Sequence, residues 1–247
     1  MEFDRCQFCY YQKYVLETPD PTEDTDALLI GSAFDDLLTY GIEKFNTRYQ
    51  VVKMRTAKAE AEASANGIIL LNNGLYNTIM QMYKEFKLNP LFEQNPKKKL
   101  IQVELKGLRL SGELDDYSPG LIRDHKTAAS VVGLEDSRNE YFKRYLFQMA
   151  FYAFLVEAQE DAKCDAILQI TDKHANWSRS MAIRFSHSTL QAEFGRIMQL
   201  IDELKEATES KLFLPANSQR VLWDCHYYGV PEISGKRHGC PTEPMYY

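Results

Sequence analysis

Residues 111–127 read SGELDDYSPGLIRDHKT, and this run constrains the fold more than any other part of the chain. It predicts a strand ending near Asp115, a turn over Tyr117-Ser118-Pro119-Gly120, and a second strand carrying Asp124 and Lys126. Residues two apart on a strand face the same way, so Asp124 and Lys126 share a face while His125 takes the other. A hairpin brings Asp115 beside them. Two carboxylates can hold a divalent cation, and a neighbouring ammonium can steady developing negative charge. That combination suits hydrolysis of a phosphodiester.

An Asp-x-Lys triplet alone is a weak sign, because charges alternate on many solvated strands and an exposed ion pair contributes little. Three features move the reading away from a solvated strand. Asp115 lies on the preceding strand, with Gly112 three residues before it. Leu121 and Ile122 make the second strand apolar, hence central in its sheet rather than at an edge. Gln148 and Tyr152 stand at i and i+4 on a following helix and share one face of it. Tyr152 alone reads as helix core, but Gln148 within LFQMAFYAFL is a polar amide that needs partners if buried.

The 247-residue chain can bury a proper core. Its net charge of −6 excludes a uniformly basic surface but leaves room for a local basic groove. Lys97-Lys98-Lys99, the one compact basic run, reads as a solvated loop rather than a phosphate contact. The start, MEFDRCQFCYY, has no basic segment followed by an apolar one, and no apolar stretch reaches membrane-spanning length. The expectation is a cytoplasmic protein of a bacterial, archaeal or phage-infected cell, without a membrane partner.

Phe3 to Glu17 reads as an amphipathic helix, ended by Thr18-Pro19-Asp20-Pro21-Thr22. Asp24 or Thr25 caps a second helix through ALLIGSAFDDLLTYGIEKF, in which Gly31 permits close packing or leaves room for a ligand. Residues 55–87 read as further helix, with a break near Asn66-Gly67 or Asn72-Asn73-Gly74. From Leu100 the period changes. LIQVELKG, LRLSGELDDYS and GLIRDHKT form a meander, a helix runs from Asn139 to Glu157, and CDAILQITD and SRSMAIRFS are two more strands. Ser188 or Thr189 opens a last helix through Ala207. The fold class is α/β, a mixed central sheet flanked by helices. The expected layout is one domain over 1–247. It has an N-terminal helical part (1–99), an α/β core (100–210), and a cysteine-containing C-terminal tail (211–247) packing near the N-terminus.

Gly112-Glu113-Leu114-Asp115, Asp124-His125-Lys126-Thr127 and Gln148-Met149-Ala150-Phe151-Tyr152 together resemble the motifs of the RecB-type branch of the PD-(D/E)xK nuclease superfamily. That branch includes CRISPR-associated adaptation exonucleases and phage recombination nucleases. The resemblance implies a restriction-endonuclease-like core. It makes Asp115 and Asp124 ligands of Mg²⁺ or Mn²⁺, with the main-chain carbonyl of His125 a further ligand. Lys126 would activate the attacking water or stabilise the scissile phosphate, and Gln148 and Tyr152 would orient the nucleic acid or groups near the metal. The sequence departs from the pattern on the long helix, where such proteins usually carry a histidine four residues after a glycine. Here Gly31 is followed by Asp35, a carboxylate that can ligate the same ions, and Asp36 serves instead if the register differs.

The implied function is a metal-dependent DNA nuclease, an exonuclease on single strands or DNA ends, in recombination, repair or CRISPR adaptation, with partners from those systems. The alternative is a catalytically weak or inactive nuclease-fold DNA-binding or scaffold subunit. Several RecB-type nucleases staple their termini with a [4Fe-4S] cluster. Cys6, Cys9, Cys225 and Cys240 resemble that arrangement, with zinc the alternative and His226 and His238 in reserve as its ligands. Cys164, in an apolar strand, reads as core.

Overall fold

A computed structural model of the chain describes residues 7–17, 25–88, 98–174, 178–213 and 245–246. The chain forms two compact units. One comprises residues 1–23, 104–109 and 194–247, the other residues 24–103 and 110–193. The second unit contains the run that opened the sequence analysis.

That unit begins with α2 (Asp26–Arg48), whose N-cap Thr25 accepts the Leu28 amide at 3.3 Å. β1 (Tyr49–Val52), α3 (Ala57–Ser64) and β2 (Ile69–Asn72) follow, and β1 pairs with β2 in parallel. The sequence reading assigned residues 69–72 to helix. An apolar run of four carries no period that separates strand from buried helix, and only the partner strand 20 residues earlier decides it. Asn72 then caps α4 (Asn73–Lys87). α2, α4 and β2 pack together through Phe34, Leu37, Phe45, Leu71, Ile79 and Met82, all essentially inaccessible to water.

β3 (Lys99–Leu105) and β4 (Leu108–Leu114) form a two-stranded sheet. The main sheet has the order β5 (Asp116–Ser118), β6 (Leu121–Ala128), β7 (Asp165–Asp172), β8 (Ser180–Phe185). β5 and β8 run antiparallel to their neighbours, and β6 runs parallel to β7, so the sheet is mixed as expected. Pro119 and Gly120 make the two-residue turn between β5 and β6. Gly120 takes the left-handed conformation there, at φ 82°, which other residues adopt only at a cost. The parallel step from β6 to β7 is bridged by α5 (Glu140–Glu160), capped by Asn139.

β6 is central, flanked by β5 and β7, and presents different chemistry to its two faces. Ile122, Asp124 and Lys126 alternate with Arg123, His125 and Thr127. α5 packs on β6 and β7, while α2 lies against β6 and α4 against β7 and β8. The LRLSGELDDYS segment is not one strand: it breaks at Asp115, between β4 and β5. The last helical stretch also differs from expectation. Ser186, directly after β8, caps the short α6 (His187–Gln191), and α7 (Phe194–Ser210) starts separately. The hydroxyl of Ser186 reaches the Thr189 amide, so the helix opens earlier than Ser188.

In the other unit, α1 (Gln7–Tyr10) continues as a wider turn to Val15. Leu200 and Leu204 of α7 and Tyr10 of α1 pack around Ala207, and β9 (Leu212–Phe213) pairs with β10 (Met245–Tyr246). Cys6, Cys225 and Cys240, with His226 and His238, lie outside the described residues, as does the side chain of Cys9. Cys164 is a buried free thiol. Among the described residues no helix is long and apolar enough to cross a membrane.

Candidate active site

Asp115 sits in the break between two strands, and the break explains its role. Outside the ladder, its carboxylate accepts the backbone N–H of His125 at 3.1 Å, which pins it to the centre of β6. The next residue does something else. Asp116 pairs in register with Arg123 and meets its guanidinium at 2.9 Å, with both side chains almost fully buried. Of two adjacent aspartates, Asp116 locks the β5–β6 hairpin and Asp115 turns to the middle of β6.

On the α5 face of β6, Lys126 Nζ stands 2.5 Å from Asp124 Oδ2. Asp124 is 1% exposed, and neither of its carboxylate oxygens has a well-formed hydrogen bond; Lys126 meets Oδ2 as an ion pair, and Oδ1 has no partner. Burial raises the Asp124 carboxyl to a pKa of about 6. Lys126 pulls against that rise and the negative charge of Asp115 adds to it. Burial works against the Lys126 ammonium, but Asp124 and Asp115 outweigh it and hold the lysine protonated well into the alkaline range. A buried carboxylate oxygen without a partner, beside a second carboxylate, fits the donor set of a divalent cation.

On the opposite face the His125 imidazole joins the acidic cluster. Its Nε2 is 2.8 Å from Asp35 Oδ1 and its Nδ1 is 3.4 Å from Asp115 Oδ2. Phe34 and Phe86 hold the ring edge-on, each at 6.2 Å between centroids. Ligand atoms of Asp35, Asp115 and His125 all lie within 4.8 Å of one another, a spacing that fits a metal ion. The sequence reading offered only the main-chain carbonyl of His125; the structure places its side chain among the acids. α2 brings Asp35 there because Gly31, one turn earlier, lets the helix approach β6. A Cβ at Gly31 would lie 3.4 Å from Thr127 Oγ1. Asp36, the alternative, is occupied elsewhere by Tyr49 Oη at 2.6 Å and Arg48 at 2.7 Å.

Lys98 was expected in a solvated loop, and the structure corrects this. Its ammonium is 2.8 Å from Asp35 Oδ2 and 3.6 Å from Glu113. Burial would raise the Asp35 pKa, but hydrogen bonds from His125 and Lys98 outweigh it and hold it at about 2. No local pattern marks Lys98 for this position, because its partner comes from a helix 63 residues earlier. The next lysine, Lys99, pairs with Glu160 and lies over the Tyr117 ring, 4.0 Å from its centroid.

Gln148 and Tyr152 meet as expected on α5, with Gln148 Nε2 donating to Tyr152 Oη at 2.8 Å. Burial, then the charge of Asp124, raises the Tyr152 hydroxyl, which places it beside the acidic pair. Gly112 gives this arrangement its room. A Cβ there would come within 3.0 Å of two Tyr152 ring carbons and of Leu155 Cδ1. A cleft of about 500 Å³ lies elsewhere, where α2 and α4 begin, and Arg55 within it is already held by Asp26 and Glu60.

The architecture agrees with a comparison at the level of sequence families. Residues 1–220 match the model of a PDDEXK-like domain of unknown function (DUF3799). The chain belongs to this PDDEXK-like family. Among curated proteins, none matches it in sequence. Among solved structures, the PDDEXK-like chain is similar to a putative exonuclease from Eubacterium rectale. The TM-score is 0.60 and the identity 18%, over 83% of this chain and 74% of that one. At that identity the likeness shows a shared fold. A second structure, SSO0001, covers 87% of this chain and 95% of its own at 15% identity, but its TM-score of 0.34 is too low to establish a common fold.

Proposed function

We propose that the protein is a metal-dependent DNA nuclease that hydrolyses phosphodiester bonds at single strands or DNA ends. One observation carries this reading. Asp124, with its open Oδ1, and Lys126 at 2.5 Å lie on one face of β6, Asp35 and His125 on the other, and Asp115 touches the strand between them. The family and the exonuclease-like fold support it. Asp35, Asp115 and the His125 imidazole, whose ligand atoms lie within 4.8 Å of one another, would hold an ion on one face of β6, and Asp124 with Asp115 would hold one on the other; the oxygen-rich set suits Mg²⁺ or Mn²⁺. Bound there, the ion supplies Lewis-acid chemistry: polarisation of a phosphoryl oxygen and acidification of water.

The chain's own groups complete the task. The Lys126 ammonium, kept protonated by Asp124 and Asp115, donates to a non-bridging phosphate oxygen as its charge grows. Gln148 and Tyr152 hold each other and fix the side of the site under α5. The inactive-scaffold reading rested on the missing histidine of the long helix. An imidazole nonetheless stands beside Asp35, supplied by β6 instead. The cysteines Cys6, Cys9, Cys225 and Cys240 make a separate proposal, a [4Fe-4S] cluster or zinc, read from blue-violet absorbance and metal analysis of the purified protein.

The test is incubation of labelled single- and double-stranded DNA with Mg²⁺ or Mn²⁺, with Lys126→Ala in parallel. Wild type should cleave, shortening strands from their ends. Lys126→Ala should lose about 10²–10³-fold in rate while still binding DNA. No divalent-dependent cleavage by wild type, or equal cleavage by the variant, would sink the proposal.

A further inference from the structure

On the exposed side of α5, beyond the Gln148–Tyr152 pair, we propose that Tyr141, Arg144 and Tyr145 form a track that stacks the bases of single-stranded DNA and leads it to the candidate centre. The inference rests on the nuclease reading and names the strand such a site takes.

Positions 141, 145, 148 and 152 are spaced four, three and four apart, so they form one stripe along the helix. The stripe runs from open solvent to the centre. Tyr141 is 56% exposed at its outer end, and Tyr152 lies beside Asp124 at its inner end. Tyr145 stands between the two ends on the same stripe, one turn from Tyr141 and one from Gln148. The Arg144 guanidinium lies 5.7 Å from the centroid of the Tyr141 ring, so a cation and an aromatic face are offered together.

The neighbouring face of α5 is anchored. Phe142 packs edge-on against Phe185 of β8 at 5.6 Å, and Phe147, Met149, Ala150 and Ala153 are buried. The stripe is therefore a firm surface. Tyr141 to Tyr145 spans about 6 Å of helix axis, comparable to one step of an extended single strand. A duplex keeps its bases stacked on one another and has no ring face to give; a single strand does. The chain carries a net charge of −6, so affinity for an anionic polymer must come from local features such as this one.

The experiment measures binding of a short fluorescein-labelled oligo(dT) to the full chain by fluorescence anisotropy, in EDTA so that nothing is cut, over a range of salt concentrations. Tyr141→Ala should weaken binding about tenfold and leave the salt slope unchanged, while Tyr141→Phe binds like wild type. Arg144→Ala should lower the salt slope by about 0.7, the share of one phosphate contact on a single strand. An abasic oligonucleotide on wild type should lose at least as much as Tyr141→Ala does with oligo(dT). Both substituted residues are exposed, so folding is not at stake.

Equal affinity of Tyr141→Ala and wild type would overturn the track. So would an equal loss with duplex DNA, or tighter binding of oligo(U) than of oligo(dT). Wild type that cleaves DNA while Tyr141→Ala binds unchanged sinks the track alone. Wild type that shows the Tyr141 dependence but cleaves nothing in Mn²⁺ sinks the nuclease reading and leaves the track standing.

Discussion

At Asp124, burial and the proposed role as an ion ligand pull on one carboxyl in opposite directions. Its carboxyl is raised to about 6 in the metal-free protein, so near neutral pH it is ionised, and below about 6 it takes up a proton. A protonated carboxyl cannot ligate, so proton and metal compete for Oδ1. Apparent Mn²⁺ affinity should therefore weaken as pH falls below about 6. Asp35, held at about 2, stays ionised throughout and adds no slope of its own. Calorimetric titration of Mn²⁺ between about pH 5 and 8 checks this, and a flat affinity would refute it. Asp124 and Lys126 were legible from the strand period alone, since alternation fixes which residues share a face. The side chain of His125 was not. Its assignment to the far face was right, but only the packing of α2 on that face shows that an acid waits there.

At the scale of elements, the site depends on two fits that keep β4, β5, β6 and α5 in register. The first is the close approach at Gly112, where a methyl group would push on the Tyr152 ring. Gly112→Ala should cost about 1–3 kcal/mol of stability, and the cleavage rate should fall while KM changes little. Denaturant melts and steady-state kinetics test both halves, and an unchanged rate would show that Tyr152 has no part in positioning. The second fit is the buried Arg123–Asp116 pair. Asp116→Ala removes the buried carboxylate partner of that guanidinium and should cost about 3 kcal/mol, the lower end for such pairs because Ser118 Oγ remains 3.3 Å from it. The double variant Asp116→Leu/Arg123→Met should recover most of that loss. If it does not, the pair does more than lock the hairpin. The sequence reading found these strands because their turn and apolar pattern are local signals. It passed over the β1–β2 pair because a four-residue strand has no signal until its partner is known.

In the whole molecule, the candidate ion site draws on segments far apart in the chain: Asp35 from α2, Asp115 from the β4–β5 break, and His125 from β6. An ion held by all of them binds the folded unit and not the unfolded chain, so it must stabilise the fold. At about a hundredfold excess over Kd the gain is about 2.7 kcal/mol, or roughly 5–10 °C in Tm for a unit of this size. Mn²⁺ should therefore raise the melting temperature of wild type, and EDTA should reverse the rise. Lys126→Ala should keep the shift, because the ammonium is not a ligand. Asp115→Asn should lose most of it, because that carboxylate stands at the junction of the two faces of β6. An Asp115→Asn protein that melts normally and still gains the full shift would mean the ion binds elsewhere. The two variants thus separate holding the metal from using it, which cleavage assays alone leave merged.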